Sequence, residues 1–113
     1  MVYDTAKRLA GELKASEEYV SYAEARERAT ANESTRTLLG EYARLQLRAQ
    51  AAAVSGRRDD DAMQKLQKLG ELLQFDSDAA ACLMAEYRLK QMLGDVYRIL
   101  AEAVDIDLGA LEA

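Results

Sequence analysis

The chain has no histidine, no proline, no tryptophan and a single cysteine. Without histidine and with one thiol, one chain cannot assemble the usual zinc sites, a Cys/His or Ser/His/Asp nucleophile system, or a disulfide framework. Runs of 18 or more apolar residues are missing, as is the charged-then-apolar opening of a signal peptide, so a cytoplasmic protein with no membrane contact is expected. The net charge of −5 speaks against direct nucleic-acid binding, which needs a basic face to displace counterions from phosphates. Aromatics are few as well: six Tyr and one Phe.

What remains is alanine, leucine and charge, a helical composition. Its 113 residues make one domain, since roughly 100–200 residues are typical of each. With no proline to break the pattern, caps and charge clusters do the punctuating. Tyr3, Ala6, Leu9, Ala10 and Leu13 recur at helical spacing over Val2 to Ala15. Ser16 is an N-cap, with Glu17 and Glu18 where the helix dipole favours negative charge, and a second helix runs from Glu17 to about Ala31. Asn32 caps a third that reaches Val54 or Ser55, where Gly56 can take the left-handed C′ conformation. Aspartates in the loop Arg57-Arg58-Asp59-Asp60-Asp61 can cap a fourth, about Asp61 to Gln74, whose buried arc is Ala62, Met63, Leu66, Leu69, Gly70 and Leu73. Phe75 falls outside that arc, in the turn. Asp76-Ser77-Asp78 supplies the last cap, and the fifth helix extends to about Val104, leaving 105–113 as a frayed tail.

The expected fold is therefore all-α: five helices in a single domain over residues 1–113, with two long antiparallel helices, the third and fifth, in a helical-bundle homodimer. Dimerisation is read from length and arc. The fifth helix would be roughly 40 Å long and the third roughly 35 Å, long against the roughly 13 Å radius of gyration of a compact 100-residue domain. On the fifth helix Cys82, Ala85, Leu89, Met92, Leu93, Val96, Tyr97, Ile99, Leu100, Ala103 and Val104 span an arc too broad for a simple two-helix seam. The interface candidates are Leu38, Tyr42, Leu45, Gln46, Ala49 and Gln50 on the third helix, and Leu89, Met92, Leu93, Val96 and Leu100 on the fifth. Gln46 and Gln50 have two readings: amides at the core edge reaching water, as Gln usually does, or a polar pair fixing register across an intermolecular seam. Glu41, Arg44, Arg48 and Thr37 are expected on a solvated face with weak three- and four-residue ion pairs.

The order Val2-Tyr3-Asp4, Ala6, Leu9-Ala10, then Ser16-Glu17-Glu18-Tyr19, continuing through Leu45-Gln46-Leu47, Gln50 and Ser55-Gly56 to Ala85-Glu86-Tyr87-Arg88-Leu89 and Leu93-Gly94-Asp95-Val96, resembles the YlbF/YmcA (Com_YlbF) family, which includes the YheA-like proteins. The resemblance covers nearly the whole chain. It implies an all-helical, dimer-forming bacterial protein without known catalysis. It also implies a regulatory role: the best-studied members act with a third protein, YaaT, in competence, sporulation and biofilm formation, and are linked to RNA processing by RNase Y. Those members have been associated with iron–sulfur clusters, but a cluster normally needs four thiolates and this chain has Cys82 alone.

No cofactor, metal or catalytic residue is assigned. Cys82 lies on the apolar arc, where a core role is the ordinary one for a free cysteine; a redox or metal-linked thiol is the competing reading. Asp59-Asp60-Asp61 and Glu17-Glu18 lack the alternating spacing and turn glycine of a calcium loop and fit capping and solubility. The expected function is a non-enzymatic regulatory adaptor, a homodimer with protein partners in an RNA-processing or developmental complex. The alternative is a small-ligand or iron–sulfur-linked carrier using a bundle cavity near Cys82.

Overall fold

A computed structural model describes residues 1–105; of the tail expected to fray, 106–113 lies outside the described residues. Among the described residues there are five helices and no strand: α1 Val2–Ala15, α2 Glu17–Ala31, α3 Glu33–Val54, α4 Asp60–Leu73 and α5 Ser77–Val104. Each junction is built by the local chemistry that the sequence announces. The Ser16 hydroxyl accepts the Tyr19 N–H at 3.2 Å, the Asn32 side-chain amide oxygen that of Thr35 at 3.1 Å, and the Asp59 carboxylate that of Ala62 at 3.0 Å. Asp76 accepts from both Asp78 and Ala79 at 3.1 Å. Each cap satisfies first-turn amides that have no partner inside the helix.

The end of α3 is closed from the other side. Gly56 has φ 71°; its N–H donates to the Ala53 carbonyl at 3.0 Å, and that of Arg57 to the Ala52 carbonyl at 2.8 Å. Both bonds of a Schellman motif are present, and the left-handed residue is glycine, which carries no Cβ to clash there.

The two long helices are not each other's main neighbours. The main neighbour of α5 is α2, and that of α3 is α4; α3 and α5 share only a small contact. The reason is the side chains each helix offers. Ala25 and Ala29 of α2 let its backbone come close to Cys82 and Ala85 of α5, and these four form one buried cluster. Glu18 and Ser21 lie by Ala85 and Arg88, while Tyr22 and Arg26 lie by Cys82 and Glu86, so α2 runs opposite to α5. A second cluster joins Leu45 of α3 to Ala62, Leu69 and Leu73 of α4 and Ala79 of α5, flanked by Leu38, Tyr42 and Leu66. Leu39 packs against both.

On α4, Ala62, Leu69 and Leu73 are buried as the arc requires, but Met63, expected with them, is exposed. Its position at the edge of the arc is left uncovered because, among the described residues, α3 is the only helix that packs extensively on α4. The molecule is thin, with extents of 46 × 36 × 16 Å and a radius of gyration of 16.6 Å, against roughly 13 Å for a compact chain of this size. A plate one or two helices deep leaves apolar faces open.

Candidate functional site

Open apolar faces lie on α1 and on the far half of α5. Not one residue of α1 is buried, and among the described residues its only helical neighbour is α2. Leu9 and Leu13 are half-buried, while Val2, Tyr3, Ala6 and Ala10 face outward. The burial of α5 is equally one-sided: its buried residues are Ala79, Cys82 and Ala85, all near its start. Farther along, Leu89, Met92, Leu93 and Val96 are half-buried, and Tyr97 (50%), Ile99 (66%), Leu100 (51%) and Val104 (65%) are exposed. Large exposed apolar side chains gathered on one helix segment form a candidate surface, where isolated ones would carry no weight.

The eleven interface candidates divide accordingly. On α3, Leu38 and Tyr42 pack against the cluster shared with α4, and Leu45, 1% exposed, is one of its two fully buried large side chains. Leu45 is thus spent on the chain's own core. Ala49 is half-buried and Gln50 exposed, and Gln46 borders a groove between α2, α3 and α5. On α5, Leu89, Met92, Leu93, Val96 and Leu100 lie together on the open segment. Tyr97, Ile99 and Val104 belong with them. The broad apolar arc of the sequence contains all three; what the sequence conceals is that α2 stops covering the helix before it reaches them. The outward face of α1 is the other omission, since its periodicity is that of an ordinary core helix.

Grooves flank the core. One, of about 640 Å³, runs between α3, α4 and the start of α5, lined by Tyr42, Leu66, Gly70, Leu83, Met84 and Tyr87 among others. Another, of about 320 Å³, is bordered by Tyr22, Arg26, Arg36, Gln46, Cys82 and Glu86. Cys82 is buried, and burial first, then the nearby Glu86, pushes its thiol up from the ordinary range against a smaller opposing pull from Arg26. A thiol so placed stays protonated at neutral pH, the unreactive form.

The charged residues serve structure. Glu41 and Arg44 form the expected three-residue pair, with two bonds at 2.6 and 3.0 Å. Arg48 differs from its expected solvated role: it reaches across to Asp59 at 3.1 Å and Asp61 at 3.4 Å, tying α3 to the start of α4. The Asp59 carboxyl is held below its usual range, first by the Ala62 N–H it caps and then by Arg48. Thr35, the buried polar residue of the core, donates its hydroxyl to Asp76. That bond, then the capped N–H groups of Ala79 and Asp78, lowers the Asp76 carboxyl. One carboxylate thereby caps α5 and fastens it to the start of α3. Among the described residues, no three His, Cys, Asp or Glu side chains come together as a metal-holding set, and no helix is long and apolar enough to cross a membrane.

Comparison with known proteins agrees with this architecture. A family profile described as "Control of competence regulator ComK, YlbF/YmcA" matches residues 2–105. A UPF0342 protein of Symbiobacterium thermophilum is 37% identical over 108 residues, covering 95% of this chain and 96% of that one. A UPF0342 protein of Halothermothrix orenii is 32% identical over 108 residues, covering 95% and 92%. A solved structure, a protein of unknown function (DUF964) from Bacillus stearothermophilus, superposes with a TM-score of 0.77 at 20% identity, covering 92% of each chain; this likeness is one of fold.

Proposed function

The chain belongs to the YlbF/YmcA (Com_YlbF) family, and from that premise we propose that it is a non-enzymatic regulatory adaptor, a dimeric helical module in the cytoplasm that binds other proteins rather than transforming a substrate. The observation that carries the reading is the open apolar segment of α5, where Tyr97, Ile99, Leu100 and Val104 are each at least half exposed. A contiguous exposed apolar surface of this kind is one that another molecule covers. A second copy would cover part of it and leave the rest of the plate for a further partner. By family, that partner belongs to the competence, sporulation and biofilm machinery and to RNase Y-dependent RNA processing.

Light scattering on the purified protein tests the first half: a mass of two chains of 12.5 kDa is expected at micromolar concentration, and a mass of one overturns the dimer. Affinity purification from the native cell tests the second, with the wild-type and Ile99→Asp chains compared side by side. The expected result is a defined partner recovered with the wild type and reduced with the variant. Recovery of no component of an RNA-processing or developmental complex would count against the adaptor role.

A further inference from the structure

We infer that the open face of α5 is covered by α1 of a second copy of this chain, the two copies exchanging their N-terminal helices reciprocally. The inference rests on the dimeric reading above and specifies what occupies the surface. Among the described residues, the outward face of α1 and the distal face of α5 are both without a helix packed on them, and they do not meet: α1 touches α2 and no other helix. Their lengths agree. α1 has 14 residues, about 21 Å, and α5 from Met92 to Val104 spans about the same at 1.5 Å per residue. Extending from the plate rather than folding onto it, α1 needs no refolding to reach a neighbour.

The charges agree as well. At 100° per residue, the outward apolar side of α1 is bordered by Lys7 and Lys14, and the Ile99–Met92 edge of α5 by Asp95 and Glu102. Both pairs are separated by one heptad, so both lysines can face both carboxylates at once. The matching borders bring Lys7 to Asp95 and Lys14 to Glu102 when the arm runs in the direction of α5. Neither lysine has an ion-pair partner within the described chain, whereas Asp95 is held by Arg98 three residues on. Because the contact is reciprocal it occurs twice, doubling the area toward the roughly 1,200–2,000 Å² that stable interfaces bury.

Single-thiol chains test the arrangement directly. In a Cys82→Ala background, one chain carries Ala10→Cys, which the Lys7–Asp95 register sets beside Ile99, and another Ile99→Cys; each is mixed alone and with the other under mild oxidation. The expected outcome is a two-chain product in the mixture, with little from either chain alone. A two-chain product from Ile99→Cys alone would mean that α5 pairs with α5, and ring closure within a chain carrying both substitutions would mean that α1 folds back on its own α5; either overturns the exchange. Charge reversal supplies a test independent of thiols at exposed positions. Lys7→Glu with Lys14→Glu should weaken the dimer about tenfold or more, and adding Asp95→Lys with Glu102→Lys should recover most of the loss. An unchanged dissociation constant would overturn the proposal while leaving the dimer standing. A single-chain mass for the wild type would overturn both.

Discussion

The two ends of α5 are one helix with opposite fates. From Ala79 to Ala85 it contributes to both buried clusters, and from Leu93 to Val104 no residue is buried. Hydrophobicity does not separate them; the distal end carries the larger apolar side chains. The difference lies in what the rest of the chain can reach. α2 has 15 residues against the 28 of α5, and α4 meets α5 only near its start. A helix that outruns its intramolecular partners exposes whatever periodicity it carries. The contrast teaches that an apolar arc does not record how much of it the chain itself covers.

The largest effect that sharpens this contrast is a pair of truncations. Leu45→Ala empties a site closed on all sides, and the lost transfer energy plus the remaining cavity should cost about 2–5 kcal/mol, read as the fall in unfolding free energy by urea titration. Leu100→Ala, at the same chemistry on the open end, should leave the unfolding free energy of the dissociated chain within about 0.5 kcal/mol and change dimer affinity instead. Equal losses at both positions under dissociating conditions would show that the distal end is closed within the chain.

The helix boundaries were legible because they rest on chemistry within a few residues. Ser16, Asn32, Asp59 and Asp76 each accept a first-turn N–H, and Gly56 has the positive φ that its place between a helix and a charged loop implies. Pairing was less legible. That α5 prefers α2 to α3 depends on the close approach allowed by Ala25 and Ala29, which periodicity treats as any other apolar positions. Arg48 reads as a surface charge until Asp59, 11 residues on, is brought beneath it. Thr35 gives no signal, because its partner Asp76 stands 41 residues away. For the candidate surface, the α5 half was visible as a broad arc. The α1 half was hidden, since a helix that docks on a neighbour and one that docks on its own core share the same spacing.

The fastening at the closed end gives the next prediction. Thr35→Val keeps the shape of a buried side chain but removes the hydroxyl that Asp76 accepts, and should cost about 1–2 kcal/mol at pH 7. The same bond is the first cause of the lowered Asp76 carboxyl, so the loss carries a pH signature. With a folded pKa below the unfolded value of about 3.9, the stabilisation is fully present above that value and disappears as pH falls through the folded one. Urea titrations at pH 7 and below pH 3 should therefore find the gap between wild type and Thr35→Val smaller in acid. A gap of the same size at both would mean that the bond to ionised Asp76 is not what Thr35 contributes.

Cys82, where the closed end of α5 meets α2, should behave as packing. Cys82→Ala removes a sulfur from a buried cluster and should cost about 1 kcal/mol, leaving dimer mass unchanged. In the native wild type the thiol should react with a thiol reagent far more slowly than a free cysteine, because burial both hinders access and disfavours the thiolate. Fast reaction of the folded chain would show that the α2–α5 contact opens readily and would blur the contrast between the two ends of the helix.

The smallest effects come from two glycines to which the same substitution should do opposite things. Neither Gly56 nor Gly94 would meet any neighbouring atom with an added Cβ, so packing drops out and the backbone decides. At Gly56 the φ of 71° places an alanine where its Cβ crowds the following carbonyl, and Gly56→Ala should lower stability by about 1 kcal/mol. Gly94 is helical and exposed, in the distal part of α5. There Gly94→Ala should raise stability by about 0.5–1 kcal/mol, by restricting the unfolded chain and adding helix propensity. Melting temperatures of the two variants, measured at concentrations that dissociate any dimer, should shift in opposite directions. Repeating the measurement where the chains associate sharpens the comparison. If Gly94→Ala stabilises the isolated chain yet weakens association, a partner backbone comes close at Gly94; if it stabilises under both conditions, the partner lies on the Ile99 side of the helix, where the acidic border of Asp95 and Glu102 would place it.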